Sequence, residues 1–205
     1  MSKVLIIFAH PLVEKSRVQS ELIRHARMVS GVTVNDIYER YPDFDIDIDR
    51  EKELLLAHDI IIWQHPFYWY SAPPLLKQWQ DLVLEHGWAY GKKGTALAGK
   101  KIFNVFSSGG GTDAYREGGF NKYPIHEYLR PFERTATLCR MSYWPPFWVH
   151  GVHKRSHEEI SRFCSQYRNI LTALTTGLFA EEEVSNHDLL NNMFPFITSK
   201  PDGSA

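Results

Sequence analysis

Three short stretches of the chain carry side chains able to do chemistry. In His10-Pro11-Leu12-Val13-Glu14-Lys15-Ser16-Arg17-Val18-Gln19 a histidine is followed by hydroxyl, guanidinium and amide groups. At the start of a helix these would join unpaired N–H groups and a partial positive charge, a combination suited to phosphate. Ser16 as a plain helix N-cap is the alternative. In Trp63-Gln64-His65-Pro66-Phe67-Tyr68-Trp69-Tyr70-Ser71-Ala72-Pro73-Pro74, four consecutive aromatics stand between proline-imposed turns that would hold their rings against a flat ligand. An ordinary core cluster is the other reading. In Ser107-Ser108-Gly109-Gly110-Gly111, successive N–H groups without obstructing side chains suit the edge of a planar ring or an oxyanion, or else form a flexible turn.

Other patterns fail on their spacing. There is no Gly-x-x-x-x-Gly-Lys-Ser/Thr motif, which argues against a P-loop nucleotide hydrolase. Gly109-x-Gly111-x-x-Ala114 follows a strand-like run as a dinucleotide fingerprint would, but residues 112–123 hold Gly118-Gly119 and no helical pattern. The alternating aspartates of 43–49 imitate half a calcium loop, yet Ile48 stands where the turn glycine belongs and Leu54 where the last glutamate belongs. His150, His153 and His157 have no cysteine or clear carboxylate to complete a ligand set, so no metal is expected. Cys139 and Cys164, far apart and without a Cys-x-x-Cys partner, read as reduced core residues.

The elements that must position the three stretches follow from hydrophobic periodicity. Val4 to Ala9 is a continuous apolar run, the mark of a buried parallel strand, and Val18, Leu22, Ala26 and Val29 recur after it at helical spacing. Residues 32–38 alternate as a second strand, a short helix near 50–57 has Leu54 and Leu55 as its inner face, and a third strand spans 58–64. Pro73-Pro74 start a helix with Leu75, Leu76, Trp79, Leu82 and Val83 on one face. A fourth strand covers 102–106 and a helix about 124–139; Tyr143 to Val149, interrupted by Pro145-Pro146, is the fifth strand. Ser156-x-x-Glu159 is a capping box for a last helix lined by Ile160, Phe163, Tyr167, Ile170, Leu171 and Leu174.

This alternation predicts an α/β fold, a doubly wound five-stranded parallel sheet in the order 2-1-3-4-5, with the loops after Ala9, Gln64 and Phe106 converging on one crevice. Residues 1–176 form that domain and 177–205 an extension, whose Met193-Phe194-Pro195-Phe196-Ile197 patch would pack on a neighbour or another subunit. At 205 residues and 43% hydrophobic the chain can bury one sizeable core. With 23 basic against 24 acidic residues, nothing in the charge calls for nucleic acid. The opening apolar run is too short for a signal segment and none is long enough for a membrane span, so the default location is the cytoplasm.

The three loops together resemble the flavodoxin-like NAD(P)H:quinone oxidoreductases of the DT-diaphorase type. Within that group they are most similar to the ancillary oxidoreductase subunits of glutathione-gated potassium efflux antiporters. The likeness runs over roughly residues 3–175 and rests on Ile7-Phe8-Ala9-His10-Pro11 with Ser16, Tyr41-Pro42-Asp43-Phe44, Trp63-Gln64-His65-Pro66, Trp69-Tyr70-Ser71, Pro73-Pro74-Leu75-Leu76-Lys77, Gly87-Trp88-Ala89-Tyr90-Gly91 and Ser107-Ser108-Gly109-Gly110. It implies a flavodoxin-like fold and FMN in preference to FAD. His10, Ser16, Arg17, Val18 and Gln19 would surround the phosphate and ribityl chain, Phe67, Tyr68, Trp69 and Tyr70 would lie along the isoalloxazine, and Ser107, Ser108, Gly109 and Gly110 would meet its polar edge. The implied reaction is hydride transfer from NAD(P)H to flavin N5 and then to a quinone.

The family's catalytic tyrosine falls at Tyr115, but its histidine falls at about Asn121, with Tyr123 and His126 nearby, so Tyr115, Asn121 and Tyr123 are the catalytic candidates. The resemblance also implies a homodimer, with Trp88, Tyr90 and the tail patch as contact surfaces, and a membrane potassium antiporter as partner, at the cytoplasmic face of the inner membrane. Two alternatives stay open: a regulatory flavin- or nucleotide-binding subunit with little catalysis, and a one-electron flavodoxin carrier. The carrier ranks last because its usual Ser/Thr-Gly-rich phosphate loop is missing between Ala9 and Val18.

Overall fold

The apolar run Val4–Phe8 forms β1, and every one of its side chains is buried because both faces of the strand are covered. It pairs in parallel with β2 (Val32–Asp36) on one side and β3 (Ile60–Pro66) on the other, Val4 standing level with Val32 and Ile60. β3 pairs with β4 (Lys101–Ser107), which brings Pro66 level with Ser107. The computed structural model describes residues 1–178, 183, 184 and 186–193.

Because strand side chains alternate, β1 feeds two cores. Leu5 and Ile7 join Trp63, Leu75, Trp79 and Phe132 on one face, where α3 (Ile48–Ala57), α4 (Pro74–Val83) and α5 (Ile125–Leu138) lie. Val4, Ile6 and Phe8 join Leu22, Phe103, Tyr167 and Leu171 on the other, under α1 (Gln19–Ala26) and α6 (His157–Thr176). The sheet order is β2-β1-β3-β4-β5, as the sequence predicts.

Several details differ from the sequence reading. The expected fifth strand is two short strands, β5 (Ser142–Tyr143) and β6 (Phe147–Val149), both paired with β4, so the sheet has six strands. Pro145 and Pro146 lack the N–H that a continuous ladder needs. β2 stops at Asp36, whose side chain accepts the Glu39 N–H and so turns Ile37 and Tyr38 into the helical turn α2 (Ile37–Arg40). α3 starts two residues earlier than expected, capped by Asp47. Leu55 is buried on its inner face with Leu54 packed half-buried beside it, as expected, and Glu51 joins them. Leu82, expected inside α4, is exposed.

Glu51 is fully buried and holds four donors: Asn35 Nδ2 at 2.6 Å, Arg50 at 2.6 Å, Tyr41 Oη at 2.7 Å and Trp79 Nε1 at 2.8 Å. A buried carboxylate persists only when hydrogen-bonded in this way. The capping box forms as expected, Ser156 Oγ accepting Glu159 N–H and Glu159 accepting Ser156 N–H.

The described part of the extension packs on this chain. A 3-10 turn at Leu190–Met193 lies along β6, where Asn191 accepts the Trp148 N–H at 2.9 Å and donates to its carbonyl at 3.1 Å. Leu190 is buried and its N–H donates to the Pro146 carbonyl. Of the expected tail patch, residues 194–197 lie outside the described residues, and Met193 packs against the α1/α6 core. Trp88 and Tyr90 are half-buried against the opposite core. Cys139 and Cys164 are buried and unpaired, their thiols pushed up by burial to about 11 and about 12. Among the described residues no helix is long and apolar enough to cross a membrane.

Candidate functional site

At the carboxyl ends of β1, β3 and β4 the sheet opens into a cavity of 580 Å3. This is where an open parallel sheet presents its loops to ligands. Of the residues predicted from sequence, His10, Ser16, Arg17, Val18, Phe67, Tyr68, Ser107 and Gly109 line it.

The first loop turns at once. His10 is buried and its Nδ1 accepts the Leu12 N–H at 3.1 Å, while burial, outweighing the pull of Glu14, holds its pKa below the ordinary histidine value. Ser16 Oγ caps the Gln19 N–H at 3.0 Å, so the capping role is real. The same hydroxyl lines the cavity. Arg17 donates to the Arg155 carbonyl at 3.1 Å, joining this loop to the one after β6.

Gln19 does not line the cavity. Its amide is fully buried and donates to the His65 carbonyl at 3.0 Å and Ser107 Oγ at 2.9 Å, and it accepts from Gln64, which accepts from Tyr167. The chain Tyr167-Gln64-Gln19-Ser107 thus ties α6, β3, α1 and β4 together. A second polar chain runs from Tyr143 Oη to Asn104 Oδ1 (2.6 Å), from Asn104 Nδ2 to His65 Nε2 (3.0 Å) and from His65 Nδ1 to the Pro66 carbonyl (3.0 Å). This direction assigns His65 as neutral with its proton on Nδ1, and burial pushes its pKa down to about 4.

The aromatic loop is a tight turn. Ser71 N–H donates to the Tyr68 carbonyl at 2.9 Å, and the two central residues, Trp69 (φ 51°) and Tyr70 (φ 62°), are left-handed. Such turns favour Asn and Gly, and a bulky residue there carries strain. Phe67 is buried and its N–H donates to the Ser107 carbonyl at 2.7 Å. Tyr68 meets His10 edge-on at 6.1 Å, whereas Trp69 is 93% exposed and stands outside the cavity.

The third loop is fixed from below. Ser108 Oγ accepts the Trp148 indole N–H and donates to the Gly110 carbonyl, both at 2.8 Å, and Ser108 N–H donates to Val149. Ser108 is therefore engaged by the scaffold, which leaves the N–H groups of Gly109 and Gly110 without an acceptor among the described residues. A Cβ on Gly109 would come within 2.9 Å of the His153 ring, and one on Gly110 within 2.8 Å of Tyr115.

Tyr115, Asn121 and Tyr123 lie beside the cavity, joined to it through Phe67. Tyr115 meets Phe67, Tyr128 and Trp148 edge-on at 5.7–5.8 Å, and burial, with Tyr70 and Tyr128 adding to it, raises its phenol pKa. Tyr70 stacks on Tyr128 at 5.4 Å and donates to Asn121 Oδ1 at 3.3 Å, and Tyr128 donates to the Asn121 carbonyl at 2.6 Å. Tyr123 is exposed and touches Tyr128 edge-on. His126 lines a different cavity, beside Tyr143 and Trp144.

Sequence reasoning missed Leu12, Lys15, Pro66, Val152 and His153 in the lining. His153 had a signal, the His150/His153/His157 cluster, but its place is against Gly109; among the described residues no group of three His, Cys, Asp or Glu is placed to hold a metal.

A 2-1-3-4-5 sheet with a cavity built from its first, third and fourth strand loops defines a flavodoxin-like protein. The chain belongs to the family described as having a flavodoxin-like fold, whose sequence pattern matches residues 2–171. The glutathione-regulated potassium-efflux system ancillary protein KefG of Serratia proteamaculans is 45% identical over 165 residues, 80% of this chain and 90% of that one. Among solved structures, general stress protein 14 of Treponema denticola in complex with FMN is 42% identical with a TM-score of 0.80, covering 84% of this chain and 99% of that one. A NADPH-quinone reductase from P. pentosaceus is 35% identical with a TM-score of 0.76, covering 83% and 98%.

Proposed function

We propose that this protein is an FMN-dependent NAD(P)H:quinone oxidoreductase that also acts as an ancillary activator of a glutathione-gated potassium efflux antiporter. The carrying observation is the pairing, across one cavity, of the Phe67-Tyr68 wall with Gly109, whose N–H has no acceptor among the described residues. The residues present fit a flavin mononucleotide. Its phosphate suits Ser16, Arg17 and the start of α1, its apolar ring suits Phe67 and Tyr68, and its polar edge suits Gly109 in the cavity wall with Gly110 next to it in the loop. Bound FMN supplies two-electron chemistry, taking hydride from NAD(P)H at N5 and giving it to a quinone.

The chain's own residues do the rest. The Gly109 and Gly110 N–H groups stabilise negative charge at the polar edge, and His10, whose Nδ1 accepts the Leu12 N–H, keeps its Nε2–H to donate on the phosphate side. Tyr115, with its phenol proton held firmly by burial, serves as the donor near the reacting face. Residues 1–176 carry this chemistry and act as a homodimer, with 177–205 as an extension.

One observation favours a regulatory reading with little catalysis. Asn121 is held by Tyr70 and Tyr128 and has no titratable group to relay a proton. The test is the visible spectrum of the FMN-loaded protein before and after NADPH, then after benzoquinone. Bleaching followed by recovery is expected, and a spectrum that never bleaches sinks the oxidoreductase reading. Potassium efflux from cells carrying a non-bleaching variant separates the two roles.

A further inference from the structure

A second cavity, of 670 Å3, borders the first and shares His10 with it. It lies over the ends of β1 and β2, so the two form one trough along the carboxyl edge of the sheet. Val13, Ile23 and Tyr38 give it apolar surface, and Arg27, Asp36 and Glu39 give it charge.

Asp36 is its distinguishing group. It is the last residue of β2 in a β1-α1-β2 unit, and its carboxylate faces the backbone N–H groups of Glu39, which donates to Oδ1 at 3.2 Å, and of Tyr38. An acidic side chain at that place in a βαβ unit is set to take both hydroxyls of a ribose, since a cis-diol offers two O–H donors to one carboxylate. A planar base attached to that ribose needs apolar surface beside it, which Ile23, Val13 and the Tyr38 ring provide. Arg27, whose charge already acts on Asp36, is within reach of a phosphate on the same sugar.

We infer that the second cavity takes the adenosine end of a dinucleotide, ribose on Asp36 and purine against Val13, Ile23 and Tyr38, with the remainder passing His10 into the first cavity. This rests on the reading of the first cavity as a flavin and NAD(P)H site. Two dinucleotides share that end, the nicotinamide donor and FAD, and the experiment distinguishes them.

Adenosine 5′-monophosphate is titrated by calorimetry into FMN-loaded protein, into Asp36→Asn, which keeps a cap for Glu39 N–H, and into Val13→Trp, which puts an indole where the purine would lie. Binding to the wild type is expected, weakened about tenfold by Asp36→Asn and abolished by Val13→Trp. Absence of binding to the wild type, or equal binding to all three, overturns the inference. If the nicotinamide donor is the occupant, Asp36→Asn raises KM for NADH about tenfold but not KM for reduced nicotinamide mononucleotide, which has no adenosine. If FAD is the occupant, it binds about tenfold tighter than FMN and Asp36→Asn erases the difference. Neither pattern appearing also overturns the inference. A flavin-loaded protein that never oxidises NAD(P)H defeats the proposed function instead, and the titration still decides the cavity.

Discussion

Gln19 Nε2 donates to Ser107 Oγ at 2.9 Å, joining the helix after the first loop to the end of β4 beneath the cavity. Gln19→Leu leaves the His65 carbonyl and the Gln64 amide without their buried partner. The expected cost is about 2 kcal/mol, a fall in Tm of roughly 4–8 °C for a chain of this size. An unchanged Tm by scanning calorimetry would show that the bond contributes nothing.

Trp69 separates the two meanings of the aromatic loop. It is 93% exposed on a left-handed backbone, so it adds little to the core. Trp69→Asn suits the turn and, with the Tyr70 stack on Tyr128 left in place, should raise stability by about 1 kcal/mol. Flavin affinity, read by fluorescence titration, should be kept in Trp69→Ala, outside the cavity, and should fall in Tyr68→Ala, which lines it. Loss of flavin in Trp69→Ala would bring Trp69 into the site.

Gly110 has no room for a side chain. With a Cβ 2.8 Å from the Tyr115 ring, Gly110→Ala displaces either the loop or the phenol. Because the clash is confined to a surface loop, the far-ultraviolet circular dichroism should be kept while FMN affinity drops about tenfold or more. Tight FMN binding by this variant would rule out the glycine N–H groups as ligands.

His65 predicts an acid-sensitive fold. Its pKa is about 4 in the folded chain against an ordinary 6.5, so between these values the unfolded chain takes up a proton that the folded chain refuses. Stability is complete above pH 6.5 and falls as pH drops toward 4, by about 3 kcal/mol in all. Buried His10 and half-buried His150 act in the same direction. The stabilisation from Glu159, held down to about 2, is present above its ordinary 4.5 and is lost only as pH falls below that value. Urea midpoints at pH 7 and about pH 5 should differ for the wild type and differ less for His65→Asn; an equal difference in both would trace the acid loss to another group.

The sheet and its crevice were legible because Val4–Phe8 and Ile60 to Ile62 are apolar runs of a kind only a covered parallel strand uses, and Ser156 with Glu159 marks a helix start by local chemistry. What the sequence hid depends on distant partners. A glutamate in Asp49-Arg50-Glu51-Lys52 reads as solvated, and only Trp79 and Asn35, brought in by other elements, make Glu51 a buried acceptor. Gln19 reads as a ligand until Ser107 and His65 are seen to occupy its amide. The Tyr68–Ser71 turn was invisible because Trp69 and Tyr70 are the opposite of what its backbone prefers.

The clasp of Asn191 on Trp148 ties the far end of the chain to the pocket rim. The tryptophan whose backbone it covers is the one whose indole steadies Ser108, so cutting before Leu190 unfastens the rear anchor of the glycine loop. The cut also bares a strand edge, a template for pairing with another chain. A truncated protein that sediments as larger species and sheds its flavin would show that the tail works as a fastener.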